Sequence, residues 1–443
     1  MSTTTLRVVV FSVGSGDHIL LCLPNGKYGI IDLHSQWKRL RQLEPPAVTY
    51  LRNKFNNKKF QLAFLHLSHG DFDHIKEFKS TWQFLEQKNS LPEYFLTFVG
   101  GNILNLLMAL KNHAKQIRDK NGRQFVSRLA KELDYITKVG NNGGQEYKTQ
   151  HITGITRLPI STTWEGFTKV FALAPLAKHT NTFNQRVVNQ KDLQSLLPDE
   201  EDVYLGESSK SSVNKNFVSG ALLMNCCNLN LIFGGDVTDE MWIDILKEIR
   251  TSYPEVNESA WRAHFIKGSH HGSRHSSSIH IWQKLIADLP EGPDKHVVFS
   301  AGKKYKHPAK ETWDHIELAS EGFDSNVIPL STNMCLFPEN DEKRILGSRS
   351  FITEDLTELL TLRGNGQFIE DKKIAGMDGG FMVEPKKSAG KFEHLAAIVY
   401  DIDIESTEIE VSLWVKMLDE EPDTDCFFPP SKSHFRNLQP PQE

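Results

Sequence analysis

Six residues constrain this chain more than any other stretch. His69-Gly70-Asp71-Phe72-Asp73-His74 sets two imidazoles and two carboxylates directly after an apolar run over residues 60–67. A β-rich run feeding a polar loop and then a helix is the junction that layered α/β proteins place at one edge of a sheet. His69 and Asp71, two apart, are expected to project to one side of the loop. Asp73 and His74 open the helix and are expected to reach a second ion. Equal numbers of imidazoles and carboxylates suit two divalent cations, because neutral imidazole supplies affinity and carboxylate offsets charge.

The rest of the chain supports an α/β architecture. Short β-rich runs at residues 6–11, 18–23 and 28–31, separated by glycine-containing turns at 14–16 and 25–26, predict a β-meander. Helical periodicity predicts a helical layer over about residues 81–140, and residues 187–215 read as a polar insertion. Strands are predicted at 169–174, 217–224, 230–233, 264–267 and 297–300, and helices at 238–250, 282–288 and 310–320. Strands feeding helices indicate layers, with the polar strand ends gathered at one edge. Beyond residue 338 the pattern differs, with a strand and short helix at 348–362, β-hairpin alternation at 395–404 and 408–415, and a tail with Pro429-Pro430 and Pro440-Pro441. The expected division is therefore a domain over residues 1–338 and a C-terminal extension over 339–443.

Composition narrows the classes. The 443 residues, 39% hydrophobic, suffice for a sizeable core. A net charge of −5 gives no global footprint of a nucleic-acid binder, so any such contact has to be local. Cys22, Cys226, Cys227, Cys335 and Cys426 show no C-x-x-C spacing, and adjacent cysteines on a strand face opposite ways, which favours reduced, partly buried thiols over a thiolate metal site. The polar residues 1–5 carry no basic leader or cleavage site, and no apolar run approaches the roughly 20 residues of a membrane span. A cytoplasmic protein without membrane contact is expected.

The 69–74 run resembles the H-x-D-x-D-H variant of the metallo-β-lactamase signature, as in ComEC-type DNA-uptake hydrolase domains, with Asp71 in place of a second histidine. Phe11-Ser12-Val13-Gly14-Ser15-Gly16-Asp17 resembles that family's V-G-Q-G-D turn, with Ser15 for glutamine. Ile30-Ile31-Asp32 resembles its I-D-T-G strand end, with Leu33 and His34 in the last two places. Asn216-Phe217-Val218-Ser219 is similar to its N-x-x-S, Gly234-Gly235-Asp236 to T-G-D, and Lys267-Gly268-Ser269-His270-His271-Gly272-Ser273 to K-V-P-H-H-G-S. The segment from Ser300 to Pro308 resembles S-x-G-x-x-N-x-x-G-H-P, shorter and more basic.

This resemblance covers residues 6–335 and implies a four-layer αβ/βα sandwich with two mixed β-sheets, to which the extension adds a β-hairpin. It implies two divalent ions, zinc first and manganese as the alternative. His69, Asp71, Asp73 and His74 would hold them, with Asp236 bridging and His270 completing the second. The third histidine of the first ion has no clear match, and His179 is favoured over His151. Asp73 would orient the nucleophile. His307 would donate a proton to a leaving oxygen or contact phosphate. His271 and Ser273 would line the substrate side, with a supporting role behind the ligands equally open for His271. Ser219 would sit in a backbone-fixing or substrate-contacting turn. ComEC proteins are polytopic, so the likeness concerns a catalytic module.

Lys303, Lys304, Lys306 and Lys310 flank His307, and Lys267 and Arg274 flank the double histidine, so positive charge gathers beside the expected metals. Lys303 and Lys306 are candidate substrate contacts. The expected activity is a phosphodiesterase or nuclease on DNA or RNA, attacking with hydroxide generated between the two ions; a nucleotide is the next substrate. The alternatives are an ester, lactone or thioester hydrolase, and a metal-binding subunit of a multi-protein system, such as one of defence, docking a protein partner through the C-terminal extension.

Overall fold

Side-chain alternation in the first strand decides how the layers stack. In β1 (Thr5–Phe11) Leu6, Val8 and Val10 enter one apolar core while Val9 and Phe11 enter another. A strand whose two faces are both apolar has to be covered on both sides. The computed structural model describes residues 5–11, 13, 16–35, 45–55, 58–97, 120–141, 147–152, 154–158, 167–188, 215–226, 229–252, 262–286, 294–300, 307–323, 327–332, 367–368, 383–384, 394–417 and 426–428.

The first sheet runs in the order β18 (Cys426–Phe428), β17 (Ile409–Met417), β16 (His394–Asp403), β1, β2 (Ile19–Cys22), β3 (Tyr28–Ile31), β4 (Leu62–Leu67), β5 (Pro92–Thr97) and β6 (Lys148–His151). The second runs β13 (Val327–Ser331), β12 (Lys295–Phe299), β11 (Phe265–Lys267), β10 (Leu229–Phe233), β9 (Ala221–Cys226), β8 (Phe167–Ala174) and β7 (Thr156–Arg157). A separate ladder joins β14 (Gln367–Phe368) to β15 (Val383–Glu384). Both large sheets are mixed: β3 to β6 are parallel, as are β10 to β13, and the remaining pairs are antiparallel.

The sheets face each other through one core, in which Val8, Val10, Phe64 and Tyr400 of the first meet Leu222, Met224, Leu231 and Phe265 of the second. The rings of Phe265 and Tyr400 lie 5.0 Å apart, edge to face, across the interface. Helices α1 (Pro46–Phe55), α3 (Phe78–Gln87) and α4 (Lys120–Asn141) cover the outer face of the first sheet, with Leu51, Trp82 and Leu133 inward. Helices α5 (Ala177–Val188), α6 (Asp239–Ser252), α7 (Ile279–Leu285) and α8 (Lys310–Ser320) cover the second, with Phe183, Trp242, Trp282 and Trp313 inward. Between α1 and α3 lies α2 (Phe72–Ile75), a single turn. The result is a mixed α/β sandwich, two sheets inside and helices outside.

Two expectations are corrected and one element is added. The helical layer over residues 81–140 is interrupted by β5, whose Tyr94 and Leu96 face the inter-sheet core while Phe95 faces the helices; a buried parallel strand is apolar on both sides and is too short to stand out between helices. Helix α1 was not anticipated. The C-terminal hairpin forms, but as part of the main sheet: β16 pairs with β1 from Asp403↔Thr5 to Ala397↔Phe11, making the strands of the 339–443 segment continuous with those of 1–338. Residues 189–214 of the polar insertion and the expected elements at 348–362 lie outside the described residues. Cys22 and Cys226 are buried and form no disulfide. Among the described residues no helix is long and apolar enough to cross a membrane.

Candidate metal centre

Strand direction gathers the polar loops. β1, β3 and β4 run the same way in the first sheet, as do β10, β11 and β12 in the second. The segments after their carboxyl ends carry Asp17, Asp32, residues 68–74, Asp236, the 269–273 turn and Ser300. β9, antiparallel to β10, starts at that edge just after Ser219. The two edges are tied together by Gly220 N–H donating to Ser68 O at 2.7 Å and by a buried ion pair between Lys267 and Asp17.

Asp236 stands at the centre. Its buried carboxylate lies within 3.9 Å of four imidazole Nε2 atoms. Oδ1 is 3.4 Å from His74 and 3.7 Å from His271; Oδ2 is 3.7 Å from His69 and 3.9 Å from His270. Each side carries a second carboxylate, Asp73 Oδ2 at 3.7 Å from His271 Nε2 and Asp71 Oδ2 at 3.7 Å from His69 Nε2. None of these contacts is a hydrogen bond: those of 3.7–3.9 Å are too long, and the 3.4 Å contact leaves both His74 Nε2 and Asp236 Oδ1 without a hydrogen-bond partner. The separations match the spacing between ligands of one cation, since ligands at about 2.1 Å from a tetrahedral ion stand about 3.4 Å apart.

The same atoms are orphaned. Nε2 of His69, His74 and His271 and Oδ1 of Asp236 are buried without a hydrogen-bond partner, a condition that costs roughly 1–3 kcal/mol per group. An ion among them removes that cost. The donor chemistry fits two divalent ions sharing Asp236: Asp73, His74 and His271 on the Oδ1 side, and His69, Asp71 and His270 on the Oδ2 side. Two overlapping groups of closely spaced ligand atoms, His69–His74–Asp236 and Asp73–His74–His271, mark the same centre.

Each ring is aimed through its other nitrogen, the arrangement that fixes tautomer and orientation in metal-binding histidines. His74 Nδ1–H donates to Asp32 Oδ2 at 2.8 Å, and His271 Nδ1–H donates to the carbonyl of Ser300 at 2.8 Å. Ser68 donates to Asp32 through both its N–H (2.7 Å) and its hydroxyl (2.6 Å), so its Oγ is left to accept from His69 Nδ1–H at 3.0 Å. His270 is held more loosely, with Nδ1 3.4 Å from Ser276 Oγ.

Backbone geometry is bent to this purpose. Asp32, His270 and His271 have φ of 54°, 47° and 55°, three of the five non-glycine positive-φ residues among those described; such strain collects at functional sites. Gly235 has φ of 50°, and a Cβ there would meet the carbonyl oxygen of Gly220 at 2.3 Å. The close passage of the β10 and β9 turns is therefore open only to glycine.

The electrostatics follow from crowding charge in a buried space. Burial disfavours the cation of His271, but Asp236, Asp17 and Asp73 outweigh it and push its pKa up to about 10. His74 is likewise raised well above its ordinary value, burial being overridden by Asp236, Asp32 and Asp73. Asp73 and Asp236 are held below the usual carboxylate range against their own burial, principally by His74 and His271.

Of the residues singled out in the sequence, the structure brings together His69, Asp71, Asp73, His74, Asp236 and His270. Others move. His271, expected on the substrate side or behind the ligands, points Nε2 between Asp73 and Asp236. His270 falls on the side of His69 and not of the second ion. His179 is not at the centre: α5 packs it against α6, where Nε2 lies 2.8 Å from Asp244 Oδ2, which also pairs with Lys178 at 2.6 Å. Ser219 takes the backbone-fixing role, one of the two expected of its turn, and Ser273 is buried. Ser219 Oγ accepts from Asp236 N–H at 2.7 Å, and Ser273, buried, accepts from His275 N–H at 3.4 Å. His307, partly buried, has its ring 6.1 Å from that of His270. Lys303 and Lys306 lie outside the described residues.

Asp17 and Asp32 were read only as motif letters and Lys267 as part of the positive charge beside the expected metals, yet all three are buried and Lys267 is paired with Asp17. For Asp32 the available signal was an acidic residue immediately after an apolar strand; nothing comparable marks Asp17 or Lys267. The chain matches no protein-family model and no curated protein.

Proposed function

We propose that this protein is a dinuclear metal-dependent hydrolase of the metallo-β-lactamase type, acting on a phosphodiester, with DNA or RNA the substrate class and zinc or manganese the ions. The observation that carries the reading is the convergence of four imidazole Nε2 atoms on one carboxylate at 3.4–3.9 Å, ligand-to-ligand spacing with no hydrogen bond formed.

Exposure favours catalysis over a purely structural site. His69, His74, His271 and Asp236 form a buried floor, whereas the side chains of Asp71, Asp73 and His270 are 20%, 31% and 29% exposed. Structural metal sites are closed, and catalytic ones keep an open side. Bound ions would supply Lewis acidity, a lowered water pKa and positive charge for an anionic substrate.

The chain's own residues do the rest. Asp236 spans both half-sites and fixes their separation. Asp73, on the open rim, would orient the attacking water. Burial, with His270 and His271 alongside, pushes the His307 pKa down to about 3, so the ring is neutral in the free protein. A phosphodiester bound beside it raises its proton affinity, which is what a donor to the leaving oxygen requires. Arg274, exposed on the turn after the double histidine, and the lysines at 303, 304 and 306 favour an anion over a neutral ester.

The test is to load the protein separately with zinc and manganese and offer bis-p-nitrophenyl phosphate, single-stranded and duplex DNA, RNA and a carboxylic ester. Phosphodiester cleavage that disappears in Asp73→Ala and falls in His271→Ala is expected. Wild-type protein with two bound ions that cleaves only the ester, or nothing, would overturn the substrate assignment.

A further inference from the structure

Beneath the floor of the centre lies a buried ion pair that ligand counting does not require. Lys267 and Asp17 have side chains only 1% and 2% exposed, with Nζ 2.5 Å from Oδ2. Burying a lysine and an aspartate is costly even when they pair, and replacement by apolar groups is often neutral or stabilising, so such a pair is weak support for a purely stabilising role. Its geometry suggests another. Asp17 Oδ1 is 3.5 Å from His271 Nδ1 and has no closer hydrogen-bond partner, while Lys267 Nζ also donates to the carbonyl of Gly268 at 3.0 Å. Gly268 opens the turn that carries His270 and His271 in their left-handed conformations.

We infer that the Asp17–Lys267 pair is a positioning device for the double-histidine turn, which holds His271 towards the Oδ1 side of Asp236 and so sets the affinity of the ion on that side alone. The inference rests on the two-ion reading above. Lys267 anchors the start of the turn and the carboxylate together. Asp17 is the negative group behind the ring, and with the Ser300 carbonyl it brackets Nδ1. Adjacent histidines then diverge to opposite oxygens of Asp236. His270, whose Nδ1 lies near Ser276 and Asn216, has neither Asp17 nor Lys267 behind it.

The experiment is calorimetric titration of metal-stripped protein with zinc, for wild type, Asp17→Asn and the neutral pair Asp17→Asn/Lys267→Met. The pair removes both charges, so no lone lysine is left buried to unfold the chain. Loss of an outer partner of this kind weakens an ion by about 10- to 100-fold. We expect one of the two binding steps to weaken by that factor in both variants and the other to stay as in wild type. Adding Asp17→Asn to His271→Ala should change nothing further, whereas adding it to His270→Ala should still weaken the remaining step, a coupling that a general loss of stability does not produce. A folded neutral-pair variant that binds two ions as tightly as wild type, or equal weakening of both steps, overturns the inference. Wild type that binds no ion would instead remove the two-ion reading on which it stands.

Discussion

Asp236 carries more of the centre than any other residue, because each of its oxygens faces two imidazoles. Asp236→Ala should therefore abolish tight binding of both ions, whereas Asp71→Ala and Asp73→Ala should each weaken one, as read by metal content after dialysis. Asp32→Ala is predicted to lower the affinity of the ion at His74 by about 10- to 100-fold, since His74 would lose the carboxylate that fixes its tautomer. Protonation gives a further check. His271 and His74 are raised above the ordinary histidine value of 6.5, to about 10 for His271, so at neutral pH an incoming cation has to displace their protons. Metal affinity should rise with pH through the neutral range, with protons released on binding; affinity that is flat with pH would contradict this. In the metal-free protein the stabilisation from these protonated rings is complete below about pH 6.5 and is lost as pH rises through about 10, so the stability gained on loading should grow with pH.

At the level of elements, turns and strand ends decide whether the ligands meet. Gly235→Ala should cost roughly 1–3 kcal/mol from its left-handed backbone alone, with the contact to the Gly220 carbonyl added, and it should displace Asp236; thermal unfolding and zinc affinity should fall together. The hairpin of β16 and β17 gives a sharper test. Removing residues 339–443 would strip β1 of one of its two partners and leave its apolar edge unpaired, a template for aggregation. Soluble, folded protein ending at residue 338 would contradict the observed sheet. Much of this was legible in the sequence. Residues 69–74 pointed to a candidate metal centre because four ligand-type side chains cluster there within six positions, Asp236 and His270 were reached only through the motif resemblance, and the hairpin was visible in its period-2 alternation. The hairpin's pairing with β1, nearly 400 positions away in the chain, was not legible, because nothing local records the partner of a strand. The division of His270 and His271 between opposite oxygens of Asp236 was hidden for a similar reason: it depends on two successive positive φ values that histidine does not advertise. His179 looked eligible only because spacing cannot tell that α5 turns it towards Asp244.

For the molecule as a whole, the candidate centre lies where the two sheets' loops meet, so ions bound there would rivet one sheet to the other. Its ligands come from loops of both, and five buried or half-buried carboxylates, Asp17, Asp32, Asp71, Asp73 and Asp236, face one buried lysine, Lys267. Two divalent cations with that lysine balance the five negative charges, and one cation does not. Loading should thus stabilise the fold: at free metal one hundred times the dissociation constant, each site adds about 2.7 kcal/mol, and chelation should lower the thermal midpoint correspondingly. The most direct measurement is the number of ions bound per chain by metal-stripped wild type and Asp236→Ala, titrated with zinc. The account predicts two for the wild type and no tight site for the variant. Wild type that binds one ion or none, or a variant that still binds two, would contradict it.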